Sequence, residues 1–335
     1  MVSLRLLFLV ALVLLWGNQI QSQIPRDGVR AYERGLRKLK QSDLDGAISE
    51  LTDAILITSG FTRKMVSADK QQLSIGDVGT NSGLMSLTVI DPFIAELYST
   101  RALGRLRKRD FTGAISDWDR AIYINPQSAS AYNNRAVGHY LSGNKESAVS
   151  DWNRALKLDP GSTNAYTNRG GVKLELGDLT GALADLNQAT TLESTAAMPY
   201  VHRGYLWIAA YQSHLNVNDL ISPYFSNAES FVDRGLADFN RAIELDPKLA
   251  QAYSGRAVVE ISLNRFDQAF SDFSSSLKLK PDQPNAYMNR GLALLMLGKT
   301  QEAEKDFDHC LRLAPNKSEE LKRKKELAKE LVEKP

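Results

Sequence analysis

The chain has 335 residues, 43% of them hydrophobic and 24% charged, which excludes collagen-like and disordered classes and leaves enough apolar surface for a large core. Its formal net charge of +2 is too small for the field of the whole molecule to recruit nucleic acid or an anionic membrane. With one cysteine, Cys310, no intramolecular disulfide can form, so stability must come from packing.

Residues 1–22, MVSLRLLFLVALVLLWGNQIQS, have the layout of a secretory signal peptide, with Arg5, an apolar run from Leu6 to Trp16 and a polar exit ending at Ser22. That run is short against the roughly 20 residues that span a bilayer, so cleavage after Ser22 is expected, leaving no stable membrane span. No cysteine follows it to carry a lipid anchor. The expected location is secreted or periplasmic.

From here the chain repeats. Tyr98, Tyr132, Tyr166 and Tyr200 are each 34 residues apart, and so are Tyr253 and Tyr287. Counting from Tyr132, Ala136 stands at +4, Ala148 at +16, Trp152 at +20, Ala155 at +23 and Pro160 at +28; from Tyr287 the same offsets hold Gly291, Ala303, Phe307, Cys310 and Pro315. Small residues at +4 and +16 allow two antiparallel helices to approach closely. Gly143, Gly177, Asn264 and Gly298 near +11 turn the chain, and proline stops the second helix. Cys310 occupies a slot that is mostly alanine, which reads as a small buried thiol.

Length, small positions, aromatic and proline together resemble the tetratricopeptide repeat family over nearly all of the chain past the leader. The resemblance implies an all-α fold, an α-α superhelical solenoid of about seven helical hairpins. They are placed at 28–61, 95–128, 129–162, 163–196, 197–249, 250–283 and 284–317, the first with Ala31 in the tyrosine slot. Ser194 replaces the closing proline of the fourth, and Arg109 the turn glycine of the second.

Two spacings are stretched. Residues 62–94 form an insertion whose Gly, Ser and Thr content and alternating run MSLTVI suggest a loose loop or a small hairpin. Tyr200 to Tyr253 is 53 residues, which lengthens the fifth hairpin by 19. Residues 318–335 read as a capping helix that hides the end of the seventh hairpin behind Leu321, Ala328 and Leu331.

A second period runs inside the first. Position +3 is Arg34, Arg101, Arg135, Arg169, Arg203, Arg256 and Arg290; position +19 is Glu50, Asp117, Asp151, Asp185, Asp238, Asp272 and Asp306. Matched series on facing helices predict a ladder of partly buried ion pairs rather than a row of anion hooks, because the arginine fork suits a carboxylate.

The resemblance implies that ligands meet the first helices of the hairpins. Candidate peptide contacts are Asn133, Tyr140, Asn164, Thr167, Tyr205, Met288 and Met296. Family members that clamp acidic chaperone tails need lysine at +1 and arginine at +2; here Asn134, Asn168 and Asn289 satisfy only the +2 asparagine of that pattern. His139, His202, His214 and His309 show no metal-ligand spacing, and no phosphate loop or nucleophile elbow occurs, so no catalytic residue, metal or cofactor is expected. Arg105, Arg107, Lys108 and Arg109 form a short basic cluster, weak support for nucleic-acid binding. The expected role is a non-enzymatic adaptor holding a protein or peptide segment. The alternative is an accessory subunit of an envelope enzyme complex, whose insertion completes its partner's site.

Overall fold

A computed structural model describes residues 25–72, 82–216 and 228–333. The described residues form α-helices, with one short 3-10 turn and no strand among them. They divide into two compact units, residues 1–160 and 161–335.

The first unit holds α1 (Arg26–Lys40), α2 (Leu44–Gln72), α3 (Ser82–Arg107), α4 (Phe111–Ile124), α5 (Ala129–Leu141) and α6 (Lys145–Leu158), and each helix packs on the next. The second holds α7 (Thr163–Glu175), α8 (Leu179–Leu192), α9 (Ala197–Asn216), α10 (Ala228–Leu245), α11 (Ala250–Ser262), α12 (Phe266–Leu279), α13 (Pro284–Met296) and α14 (Thr300–Leu313). There too each helix packs on the next, and α15 (Ser318–Glu333) packs on α13.

The repeat explains how each hairpin closes. The +20 aromatics Trp118, Trp152, Phe239, Phe273 and Phe307 are fully buried, and the small +4 residue makes room for them: a Cβ on Gly291 would stand 2.4 Å from the Phe307 ring. Removing such a ring costs about 3–5 kcal/mol. The +11 residue takes left-handed backbone, with φ +91° at Gly143, +82° at Gly177 and +73° at Gly298. Ser42, Arg109 and Asn264 adopt the same turn at φ 62°, 64° and 56° with a side chain attached. The next residue caps the second helix where its chemistry permits: the carboxylates of Asp43, Asp110 and Asp178 and the amide oxygen of Asn144 each accept from a backbone N–H three residues on. Arg265 and Lys299 hold that place in the last two hairpins without a capping bond.

The insertion at 62–94 is neither a loose loop nor a β-hairpin where it is described. α2 runs to Gln72 and α3 starts at Ser82, so MSLTVI is helical. Its alternation misled because helix continuing from both flanks outweighs a six-residue pattern. In the fifth hairpin α9 likewise runs to Asn216, through the place where its sisters turn; residues 217–227 lie outside the described residues. In α15, Leu321 and Ala328 are buried, Leu321 against Met288, Leu294 and Phe307.

Candidate binding surface

The recurring charges decide what is left for a ligand. In the third hairpin Arg135 Nε donates to Asp151 Oδ2 at 2.7 Å and Nη2 donates to Oδ1 at 2.6 Å. The same two-pronged bond joins Arg101 to Asp117, Arg169 to Asp185, Arg203 to Asp238, Arg256 to Asp272 and Arg290 to Asp306, all at 2.5–2.9 Å. Arg34 makes a single bond to Glu50, and its side chain is 46% exposed against 20% for Arg135. Hydrogen bonding to Asp151 raises the Arg135 pKa, although burial opposes it; Arg256 and Arg290 are raised by Asp272 and Asp306 in the same way.

The guanidinium has a third nitrogen, and its use was not foreseen. Arg101 Nη1 donates to Thr52 Oγ1 at 3.1 Å and Arg135 Nη1 to Asp119 Oδ1 at 2.6 Å; Arg203 Nη1 donates to Asn187 Oδ1 at 2.8 Å, Arg256 Nη1 to Asn240 Oδ1 at 2.7 Å and Arg290 Nη1 to Ser274 Oγ at 3.2 Å. Each acceptor lies in the preceding hairpin, two residues beyond its acid. One arginine therefore closes its own hairpin and fastens it to the one before. The tyrosine three residues earlier roofs each of these arginines, with guanidinium to ring distances of 5.4–5.8 Å from Tyr98 to Tyr287. The hydroxyls of Tyr200 and Tyr253 also donate to the carbonyls of Ser194 and Pro247, at 3.3 Å each. The signal for the third contact was present, since an acceptor recurs at +21; it is found only by asking where the last arginine nitrogen goes.

The +19 acid often has a second donor from the first helix, at +7. Arg105 reaches Asp117 at 3.0 Å, Lys173 reaches Asp185 at 2.9 Å and the Trp207 indole donates to Asp238 at 2.9 Å. In the sixth hairpin that position is Glu260, which is buried and lies 3.7 Å from Arg265.

The candidate contacts divide. Met288 is 1% exposed within the core of the last hairpin, and Thr167 is 6% exposed with its hydroxyl donating to the Thr163 carbonyl at 2.8 Å, so neither meets a ligand on this surface. Both stand at +1, and that offset faces the interior: Val201 at +1 is also buried, Ser254 bonds Ser276, and Asn133 Oδ1 accepts from the Trp152 indole at 3.2 Å. Tyr205 is half-buried, stacked edge-on against Phe239, and its hydroxyl donates to the Gln251 carbonyl at 3.1 Å; burial pushes its pKa up to about 12. Tyr140 and Met296 are half-buried, and Asn164 is exposed. Offset −2 is open in hairpins three to seven, at Ser130, Asn164, Met198, Gln251 and Asn285.

His202 stands against Gly171, where a Cβ would come within 3.0 Å of the ring; burial holds the imidazole below its usual pKa, with Glu175 opposing. Cys310 is fully buried, and burial raises its thiol pKa, which suppresses the thiolate. Among the described residues no group of three or more His, Cys, Asp or Glu could hold a metal, and no helix is long and apolar enough to cross a membrane.

Hairpins closed by a small pair, a buried aromatic and a shared arginine define a helical-repeat protein. Residues 129–162, 228–284 and 284–317 each match the tetratricopeptide repeat, and the chain is a tetratricopeptide repeat protein. It is similar in fold to a tetratricopeptide repeat protein from Parabacteroides merdae ATCC 43184, at 18% identity and TM-score 0.60, covering 91% of this chain and 99% of that one. PilW, a widely conserved type IV pilus biogenesis factor, matches at 17% identity and TM-score 0.55, over 69% of this chain and 97% of its own. A chain of the APC/C hetero-tetramer Cut9–Hcn1 matches at 15% identity and TM-score 0.58, over 86% of this chain and 55% of its own. No curated protein matches the chain.

Proposed function

We propose that this protein is an exported scaffold that holds a protein or peptide segment against the first helices of its hairpins. The observation that carries the reading is the internal use of charge. The arginines and acids that recur along the chain are spent on closing hairpins, and the open −2 positions from Ser130 to Asn285 are uncharged. In the second unit α7, α9, α11 and α13 lie side by side, which suits a segment recognised by neutral polar and apolar contacts. Pilus biogenesis and a multi-subunit assembly among the fold relatives are consistent with such a role.

A photo-crosslinking residue at Asn164 and at Asn285, compared with one at the exposed Ser271 on second helix α12, tests the surface in the protein's own cells. One partner captured from both first-helix sites and not from Ser271 is expected; equal capture from all three refutes it. Export is tested separately: the isolated protein should begin at Gln23, and an intact Met1 refutes cleavage.

The alternative of an accessory enzyme subunit draws on one feature, the 29 residues of α2 against 14 in α4. Deleting 62–94 distinguishes it: the partner would still be captured but would lose activity.

A further inference from the structure

The net charge of +2 conceals a local concentration of cations in the first unit. Arg26, Arg30, Glu33, Arg37 and Lys40 recur along α1 at helical spacing and are all exposed, while Gly28, Ala31, Gly35 and Leu39 on the other side are buried. Four cations and one acid therefore form a stripe. Arg30 lies 3.8 Å from Asp27, whereas Arg37 and Lys40 make no ion pair with a carboxylate among the described residues. The stripe continues onto the end of α3, because Arg107 Nη1 donates to the Leu39 carbonyl at 3.2 Å and so stands against the last turn of α1. Lys108, paired with Asp45, and Arg109 follow it.

The repeat does not require this charge. The three positions of Arg107, Lys108 and Arg109 are Leu141, Ser142 and Gly143 in the third hairpin and Met296, Leu297 and Gly298 in the seventh. Arg109 moreover holds a long side chain at φ 64°, a conformation that Gly143, Gly177 and Gly298 supply in three sister hairpins.

We infer that the stripe on α1, with Arg107 and Arg109, is a docking surface for the anionic headgroups of a lipid bilayer. Charge complementarity names an anion, and two features select a membrane over nucleic acid. The stripe runs along one helix face, and its nearby aromatic Tyr32 is engaged edge-on with Phe93 and offers no base a platform. The inference stands whether the leader is retained or removed, since the cations belong to the folded hairpins.

The test is flotation of the full-length chain with vesicles of phosphatidylcholine alone or mixed with phosphatidylglycerol, at low and high salt. Tighter binding to the mixed vesicles, weakened by salt, is expected. Replacing Arg30, Arg37 and Lys40 together by glutamine should lower that affinity on the order of 100-fold and leave binding to phosphatidylcholine unchanged. Arg109→Gly, which relaxes the backbone and cannot be blamed on misfolding, should lower it roughly 5-fold. Equal binding of the unaltered chain to both vesicle types means the leader alone drives it and overturns the inference. So does full retention by the variants, or release of the protein from the mixed vesicles by single-stranded RNA at equal phosphate.

Discussion

Trp118 offers a prediction whose size can be worked from a sister hairpin. Its indole Nε1 is buried with no hydrogen-bond partner, whereas the indole of Trp152, 34 residues on, donates to Asn133 Oδ1 at 3.2 Å. The position 34 residues before Asn133 is Ser99, which is too short to reach. Leaving a buried donor unpaired costs about 1–3 kcal/mol, and Ser99→Asn supplies the missing acceptor. Ordering the new side chain takes back part of this gain, so a net stabilisation of about 1 kcal/mol is expected. In a unit of this size that raises the melting midpoint by about 2–4 °C. Thermal unfolding followed by tryptophan fluorescence reads it, with Ser99→Ala as the comparison that lacks an acceptor. An unchanged or lower midpoint in Ser99→Asn would show that the two hairpins do not share the geometry their spacing implies.

Other substitutions test the turns, the caps and the buried imidazole. Arg109→Gly removes a side chain from left-handed backbone and should raise the unfolding free energy by about 0.5–1 kcal/mol in a denaturant titration; the reverse change at Gly143 should lower it. Lys299→Asn gives α14 the side-chain cap that α6 receives from Asn144, a gain of about 1 kcal/mol reduced by the lost contact of Lys299 with the Phe270 ring. His202 has a lower pKa folded than unfolded, so the unfolded chain takes up the proton first. Its contribution is intact above the ordinary histidine range and is lost as pH falls through about 6.5. Urea midpoints at neutral and mildly acidic pH should converge in His202→Asn relative to the unaltered protein; an identical acid loss in both would remove His202 as a cause.

Much of the fold was legible because one unit recurs. A single hairpin containing Arg135 on a packing seam reads as an anomaly, but seven arginines matched by seven acids read as architecture. What escaped was directional. Offset +1 looks equivalent to other first-helix positions in a linear count, yet it turns Met288 and Thr167 inward against neighbouring packing. The third arginine contact escaped because its acceptors share only oxygen, in Thr52, Asp119, Asn187, Asn240 and Ser274, so no single residue type marks the position. The described parts of the insertion escaped because alternation over a few residues outweighed the length of helix on either side. The basic stripe on α1 escaped because Arg37 and Lys40 lie nearly seventy residues from Arg107 in the chain, and the net charge averages them away.

The central claim is that the recurring arginines hold the frame and leave ligand binding to other residues. The most direct measurement is the coupling between Arg135→Ala and Asp151→Ala in a double-mutant cycle of unfolding free energies. Each single change strands a partly buried charge and should cost about 3 kcal/mol. The double variant should cost little more than either alone, leaving a coupling of at least about 1.5 kcal/mol. Losses that simply add, within about 0.5 kcal/mol, would contradict the internal ladder and return Arg135 to the candidates for binding a ligand.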